Sequence, residues 1–510
     1  MSEKKDNSEV IDREDGIGSD QFNKHKLDAD VALTALQNRE GPPLVLDEAT
    51  NRRLLRKIDW HLLPIMCFVY GLNFLDKTTL SYASITGLQQ DIHISGADYS
   101  WLGSIFYFGY LAWEWPTNLL LQRLPIAKYS AFNILAWGLV LCLFAVVSNF
   151  SGALAIRFFL GVFEAAVTPG FALITSQWYT RREQGSRTGI WFSFNGFAQI
   201  FGGLVAYGIA RGADTHGYTI AAWKVIFLVT GLMTVMAGLL FLWIVPDNQL
   251  NARWLSPEER ILAIERVRVN QQGIGNKHFK LYQLKEALLD PLVWAFAFYS
   301  IVSTIPNGGI TNFFSLLIKG FGYTSEESLL YGTPAGAVEV VTLIGGLWLG
   351  DFLNQRILVS IVFLLIAMVG MIMIVAVPVD HPTIRLGGFY LTQAAPVPFV
   401  ALLSLISSNV AGYTKKTTVA AIYLIAYCTG NIIGPQVFQA KDAPTYRPAE
   451  ITIITCWAVA VIDLLYIWWH TRRLNIEKER IRAEPGYVKL ENQEFLDLTD
   501  RENSEFVYTL

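Results

Sequence analysis

The stretch WHLLPIMCFVYGLNFLDKTTLSY, residues 60–82, is long and apolar enough to cross a membrane, yet it holds an acid and a base side by side at Asp76 and Lys77. About 20 predominantly apolar residues span a hydrocarbon core of ~30 Å. A charge at that depth costs roughly 2.5–3.5 kcal/mol on insertion scales, so a helix that keeps two of them has a polar cavity or partner helices around them. The pattern points to a membrane helix facing protein and water, in a chain that moves a polar or charged solute.

Further apolar runs recur along the chain. Spans are expected near 60–82, 99–121, 128–148, 152–179, 188–209 and 223–245, then near 291–317, 329–352, 357–377, 386–409, 417–438 and 451–470. The expected fold is therefore all-α and polytopic, with twelve transmembrane helices in two six-helix halves, an arrangement typical of duplicated transporter folds. The parts are an N-terminal tail (1–57), a first half (58–246), a central loop (247–290), a second half (291–470) and a C-terminal tail (471–510).

Composition agrees with this reading. Hydrophobic residues make up 52% and charged residues 16%, against about 25% charged in soluble domains. The charges crowd the first fifty-odd residues, the central loop and the end of the chain. Residues 1–51 are polar and acidic without an apolar h-region, so a disordered tail is expected there and no cleaved signal peptide. Cys67, Cys142, Cys428 and Cys456 all fall in apolar runs, and neither a disulfide framework nor a metal spacing is present. No nucleophile elbow, phosphate loop or metal-spaced histidine cluster appears, so the chain is not expected to be an enzyme, and no metal, cofactor or nucleic acid is called for.

Basic residues set the orientation. Arg123, Lys128, Arg181, Arg182, Arg187, Arg356, Lys415 and Lys416 lie in loops of the same parity as the N-terminus, joined by the basic residues of the central loop. Loops of the other parity carry Asp91, Asp98, Asp214, Glu326, Glu327, Asp380 and Asp442. The positive-inside rule puts both termini and the central loop in the cytoplasm. Within that loop, Ser256-Pro257-Glu258-Glu259 reads as an N-cap, a proline at N1 and acids in the first turn, opening a short amphipathic helix. A second helix is expected from near Lys280. The loop is either a tether or a regulatory element.

Besides Asp76 and Lys77, the first half places Glu114, Arg157 and Glu164 within spans. Arg157 and Glu164 are seven apart and share a helix face. Asp76 and Lys77 diverge by about 100°, so one faces the cavity axis while the other reaches a neighbouring helix. A carboxylate in such a site can exchange protons, and a cation beside it can hold a substrate carboxylate. Competing readings exist: Glu114 can brace a kink at Pro116, Arg157 can snorkel from a helix end, and Glu339, in the second half, can form a structural ion pair. Tyr70, Asn73, Tyr110, Asn195, Gln199, Asn312, Ser404 and Asn431 are candidates for the cavity lining, although helix–helix hydrogen bonding is the commoner role of any one of them.

Several stretches resemble the major facilitator superfamily, and within it the fungal allantoate-permease branch of the anion:cation symporters. They are Phe74-Leu75-Asp76-Lys77, the run from Arg157 through Glu164 to Pro169-Gly170, Trp178-Tyr179 with Arg181-Arg182-Glu183-Gln184, Asn195-Gly196, and Gly430-Asn431 with Gly434-Pro435-Gln436. The resemblance covers about residues 59–474. It implies proton-coupled uptake of a small organic anion or zwitterion, a carboxylate, ureide or vitamin-like nutrient, by alternating access. By motif, Asp76 and Glu164 match the proton-exchanging acids, and Lys77 matches a basic position that is usually arginine. Tyr110, Asn195 and Asn431 match substrate-lining positions. Lysine keeps a point charge and loses the bidentate carboxylate fork. The loop signature between the second and third spans is degraded to Leu121-Gln122-Arg123-Leu124-Pro125, and its second-half counterpart is Gly350-Asp351 with Arg356, a gating pair. Partners are then the substrate, protons and the bilayer, around a monomer in the plasma membrane. Export of a secondary metabolite and a non-transporting sensor are the alternatives. Drug antiporters of the superfamily carry a Gly-Pro motif in the fifth span, which is absent from 188–209, and a sensor would be expected to lose the coupling acids.

Overall fold

The computed structural model describes residues 47–94, 97–217, 219–268, 280–484, 487 and 498–510, which are helical over most of their length. The expected tail up to residue 46, and Asn270, Gln271 and Lys277 of the central loop, lie outside the described residues.

Twelve helical spans run back and forth. In the first half they are α1 (Glu48–Ser84), α2 (Asp98–Arg123), α3 (Ile126–Cys142), α4 (Phe150–Glu164 and Val167–Trp178), α5 (Arg181–His216) and α6 (Ala222–Ile244). In the second half they are α7 (Pro291–Gly320), α8 (Ser325–Tyr331 and Thr333–Leu353), α9 (Arg356–Ala376), α10 (Pro382–Thr392 and Pro396–Asn409), α11 (Tyr413–Val437) and α12 (Arg447–Arg482). Ten of these are long and apolar enough to cross a membrane by length and composition. The other two, α2 and α5, are diluted by Tyr, Trp, Ser, Asn and Gln because much of their surface meets other helices and the central cavity instead of lipid.

The halves meet at the end of the bundle remote from the central loop. Tyr99 Oη donates to the Asn312 carbonyl at 2.7 Å, Ser100 Oγ to the Phe438 carbonyl at 3.0 Å, and Ser104 Oγ to the Ile432 carbonyl at 2.6 Å. Nearer mid-span, Gly196 of α5 crosses Gly336 of α8 so closely that a Cβ on either would overlap the other's carbonyl oxygen. Small residues permit this approach of two membrane helices.

At the loop end, each half keeps its own polar network. The expected linker helix forms over Pro257–Arg268, closed by a reciprocal cap in which Ser256 Oγ accepts from Glu259 N and Glu259 Oε2 accepts from Ser256 N. It is tied to the first half: Arg266 donates to the Asn51 side chain and the Trp178 carbonyl and pairs with Glu183, while Lys57 meets Glu259 at 2.5 Å. A second linker helix, Leu281–Leu289, sits on the other half, where Gln283 Oε1 accepts from Thr414 N and Glu286 pairs with Lys415 at 2.9 Å.

The end of the chain is built into this second network. Helix α12 continues past the expected boundary at 470 to Arg482, and residues 498–510 fold back across α9, α11 and α12. Asp500 pairs with buried Lys415 at 2.8 Å, and Arg501 with Asp290 at 2.9 Å. Asn409 and Thr509 exchange two hydrogen bonds of 2.8 Å, as do Asn475 and Tyr508. The Leu510 carbonyl accepts from Arg356 N at 2.7 Å.

Candidate functional site

A cavity of about 450 Å³ lies between the halves, within the usual range for small-molecule sites. Its walls are aromatic and amide-rich: Tyr70, Asn73, Tyr107, Tyr110, Trp191, Asn195 and Gln199 from the first half, and Asn307, Phe389, Gln393, Phe399 and Tyr427 from the second. Of the charged side chains described, it is lined by Lys77, Glu114 and Glu339.

Helix α1 builds the ionic core by turning two adjacent residues to two sides. Lys77 faces the cavity, and its Nζ is held by Asn73 Oδ1 at 2.7 Å and by Glu164 Oε1 of α4. The Phe106 ring lies beneath it, 5.6 Å from Nζ to the centroid. Asp76 turns away into the protein. Trp137 Nε1 of α3 donates to its Oδ2 at 2.7 Å, and Arg157 Nη1 of α4 lies 3.8 Å from Oδ1. Asp76, Arg157 and Glu164 are at most 1% exposed. Two acids and two bases thus share one buried cluster, with Lys77 alone reaching the cavity.

Close packing of α2 on α4 holds the cluster together. Gly161 meets the Phe106 carbonyl, and Gly109 meets that of Phe158, with no room for a Cβ at either. Arg157 Nε donates to the Leu102 carbonyl at 3.1 Å, and its guanidinium sits 5.0 Å from the Phe106 centroid. Arg157 does not snorkel; it is buried against Asp76, which supplies its counter-charge. Glu164 closes the first segment of α4, directly before the break at Ala165-Ala166. Its Oε2 is buried without a hydrogen-bond partner, as is Oδ1 of Asp76.

The remaining expected site residues divide. Tyr110, Asn195, Glu114 and Glu339 line the cavity. Asn118 Nδ2 donates to Glu114 Oε1 at 3.0 Å, one turn on and across Pro116 inside α2, so that acid borders the cavity and is also tied to its own helix. No described residue pairs with Glu339, and the structural ion pair considered for it is not formed. Ser404 and Asn431 do not line the cavity. Ser404 Oγ accepts from Arg356 Nη1 at 2.9 Å, and Arg356 Nε meets Asp351 at 2.6 Å, all at the loop end. Asn431 Nδ2 donates to the Tyr427 carbonyl, and its backbone packs on Gly308. The Ser404 hydroxyl and the Asn431 NH2 group found nearby partners, the commoner fate of such groups in membrane helices, while Asn431 Oδ1 is buried without one.

Sequence reasoning missed Trp137. A tryptophan in an apolar run reads as lipid-facing or core, and nothing local shows that its N–H meets an acid on another helix. No group of three or more metal-ligating side chains gathers among the described residues.

Residues 66–435 match the family model described as Major Facilitator Superfamily. Over its length the chain is similar to an uncharacterized transporter of Schizosaccharomyces pombe, at 44% identity over 91% of each chain. It is also similar to the allantoate permease of Saccharomyces cerevisiae, at 40% identity over 90% of this chain and 87% of that one. Among solved structures it is similar to the xylose transporter XylE from E. coli in a partially occluded inward open conformation, with a TM-score of 0.59 over 80% of this chain and 98% of that one. At 13% identity that likeness concerns the fold alone.

Proposed function

The chain belongs to the Major Facilitator Superfamily and is a multi-pass membrane transporter, and on that premise we propose that it imports a small carboxylate-bearing nutrient together with protons. The observation that carries the proposal is the Lys77–Glu164 pair. Lys77 is the cation that faces the cavity, and its counterion is a fully buried acid on a different helix.

The mechanism follows from the cost of separating the pair. A substrate carboxylate entering the cavity competes with Glu164 for the Lys77 ammonium. Once released, Glu164 is a carboxylate in a buried site with one oxygen already unsatisfied. An uncompensated charge there costs several kcal/mol, and binding a proton removes it. Substrate and proton then load together. Asp76 holds Arg157 beside this exchange and is the second acid able to take part.

Alternating access is supported by the distribution of contacts. The hydrogen bonds between the halves gather at the end remote from the linker, while the two networks at the linker end each stay within one half. With the linker in the cytoplasm, as the basic loops favour, this is an inward-facing state of a plasma-membrane importer acting as a monomer. The absence of proline from α5 favours import over drug-type antiport.

The test is uptake of radiolabelled allantoate, the compound in the name of the yeast relative, into cells lacking their own permease. Uptake is expected to rise with an inwardly directed proton gradient and to collapse with an uncoupler. Uptake indifferent to both would refute proton coupling.

A further inference from the structure

Helix α10 is broken between Thr392 and Pro396, and its cytoplasmic segment, Pro396–Asn409, walls the cavity with Phe399, Val400 and Leu403. Helix α11 adds Tyr423 and Tyr427 beside it. A helix break followed by a proline lets the segment beyond it swing. The opposite wall includes Pro169 and Ala172 of α4, below the matching break at Ala165-Ala166. Closing the cytoplasmic mouth brings these walls together, and the turn between α10 and α11 moves with its wall.

Residues 498–510 hold that turn in place. On the turn side, Asn409 and Thr509 exchange two hydrogen bonds, and Asp500 Oδ1 accepts from Ala411 N at 3.3 Å and pairs with Lys415 at 2.8 Å. On the other side, Asn475 and Lys478 of α12 and the Arg356 N–H of α9 grip the same segment. The turn-side contacts can part without stranding a charge. Lys415 keeps Glu286 and Asp290, both at 2.9 Å, and Asp500 keeps the Tyr508 hydroxyl at 2.8 Å. Breaking a buried ion pair is most unfavourable when a charge is left uncompensated, and here neither is.

We propose that residues 498–510 are a releasable strap, an autoinhibitory contact that pins the α10–α11 turn to α12 and so favours the inward-facing state. This rests on the alternating-access reading given above. A contact confined to one rigid body cannot shift the balance between two states, whereas one that spans a hinge is made in one state and lost in the other. The strap peels from Asn409, Ala411 and Lys415 as the mouth closes, and stays anchored on Asn475 and Lys478.

The experiment is a distance measurement by double electron–electron resonance on the purified full-length chain in nanodiscs. Spin labels are carried by Ser186→Cys of α5 and Thr417→Cys of α11, with the four native cysteines replaced by alanine. Asn409→Ala removes the reciprocal pair with Thr509 and is expected to raise the ratio of short to long separations about tenfold, the effect of two neutral hydrogen bonds. Deletion of residues 499–510 is expected to raise it at least as far. An unchanged ratio in whichever of these variants folds overturns the proposal. Gly196→Val, which acts on the crossing of the halves and not on the strap, separates the two readings. If it shifts the ratio and loss of the strap does not, the strap fails alone; if neither shifts it, the alternating-access reading fails as well.

Discussion

Replacing Glu164 by glutamine tests the coupling mechanism most directly. Gln keeps the shape of the side chain and an oxygen facing Lys77, but it cannot carry a charge or exchange a proton. Breaking a buried ion pair by removing one partner costs about 3–5 kcal/mol when the other is stranded. Lys77 is not stranded: its side chain is 14% exposed, and Asn73 Oδ1 stays at 2.7 Å. A loss of about 1–3 kcal/mol, that of one hydrogen bond to a charged group, is therefore expected. The chain should still fold and still bind. In proteoliposomes, uptake driven by an imposed proton gradient is expected to fall to background. Counterflow, in which internal unlabelled substrate exchanges for external label without net proton movement, is expected to persist. Loss of counterflow to the same degree as net uptake would refute the assignment, and so would gradient-driven uptake that survives. A double-mutant cycle with Lys77→Met measures the pair itself, with an expected coupling of about 1–3 kcal/mol.

Gly161→Ala forces a Cβ into the Phe106 carbonyl and is expected to cost about 1–3 kcal/mol as overpacking, read as a lower melting temperature with reduced uptake; Gly208→Ala, with open space around it, is the control that should change neither. Gly196→Val wedges the halves apart where they cross. A cysteine introduced at buried Ser84 is then expected to react with a membrane-impermeant maleimide about tenfold faster, equivalent to a shift of ~1.4 kcal/mol, and an unchanged rate would refute the closed-end reading. Burial pushes the Asp290 carboxyl up, but Lys415 and then Arg501 outweigh it and hold the group below its ordinary value of 3.8. Its stabilising contribution is thus fully present above that pH and lost as pH falls through the lower, folded-state value. Asp290→Asn should remove this acid-dependent part of the melting curve, and identical curves for variant and wild type below pH 4 and above it would refute the linkage.

The fold was legible because hydropathy is a local property. Each span announces itself over about 20 residues, and the cap at Ser256 and the proline at N1 placed the linker helix to the residue. Asp76 and Lys77 were legible for the same reason, as charges out of place in an apolar run. What could not be read locally were the partners. That Asp76 meets Trp137, and that Arg157 is buried instead of reaching a helix end, depends on the α1–α3–α4 packing. The final residues show this most plainly. They read as a tail, but Tyr508 is only 2% exposed because Asn475 and Lys478 of α12 bind that segment and Asp500 within it accepts from the Tyr508 hydroxyl. Ser404 and Asn431 mark the opposite limit, since composition cannot tell a cavity-lining polar group from one engaged by a neighbouring helix or within its own.

The buried quartet of Asp76, Lys77, Arg157 and Glu164 takes every member from α1 and α4, with its supporting Trp137 on α3. No contact in it crosses to the second half. A chimera that joins residues up to the linker to the second half of a relative would inherit this ionic machinery intact, while exchanging Glu339 and the aromatic wall opposite. On the mechanism proposed above, such a hybrid keeps its coupling acids and the Lys77 cation and replaces one of the two walls that meet the cargo.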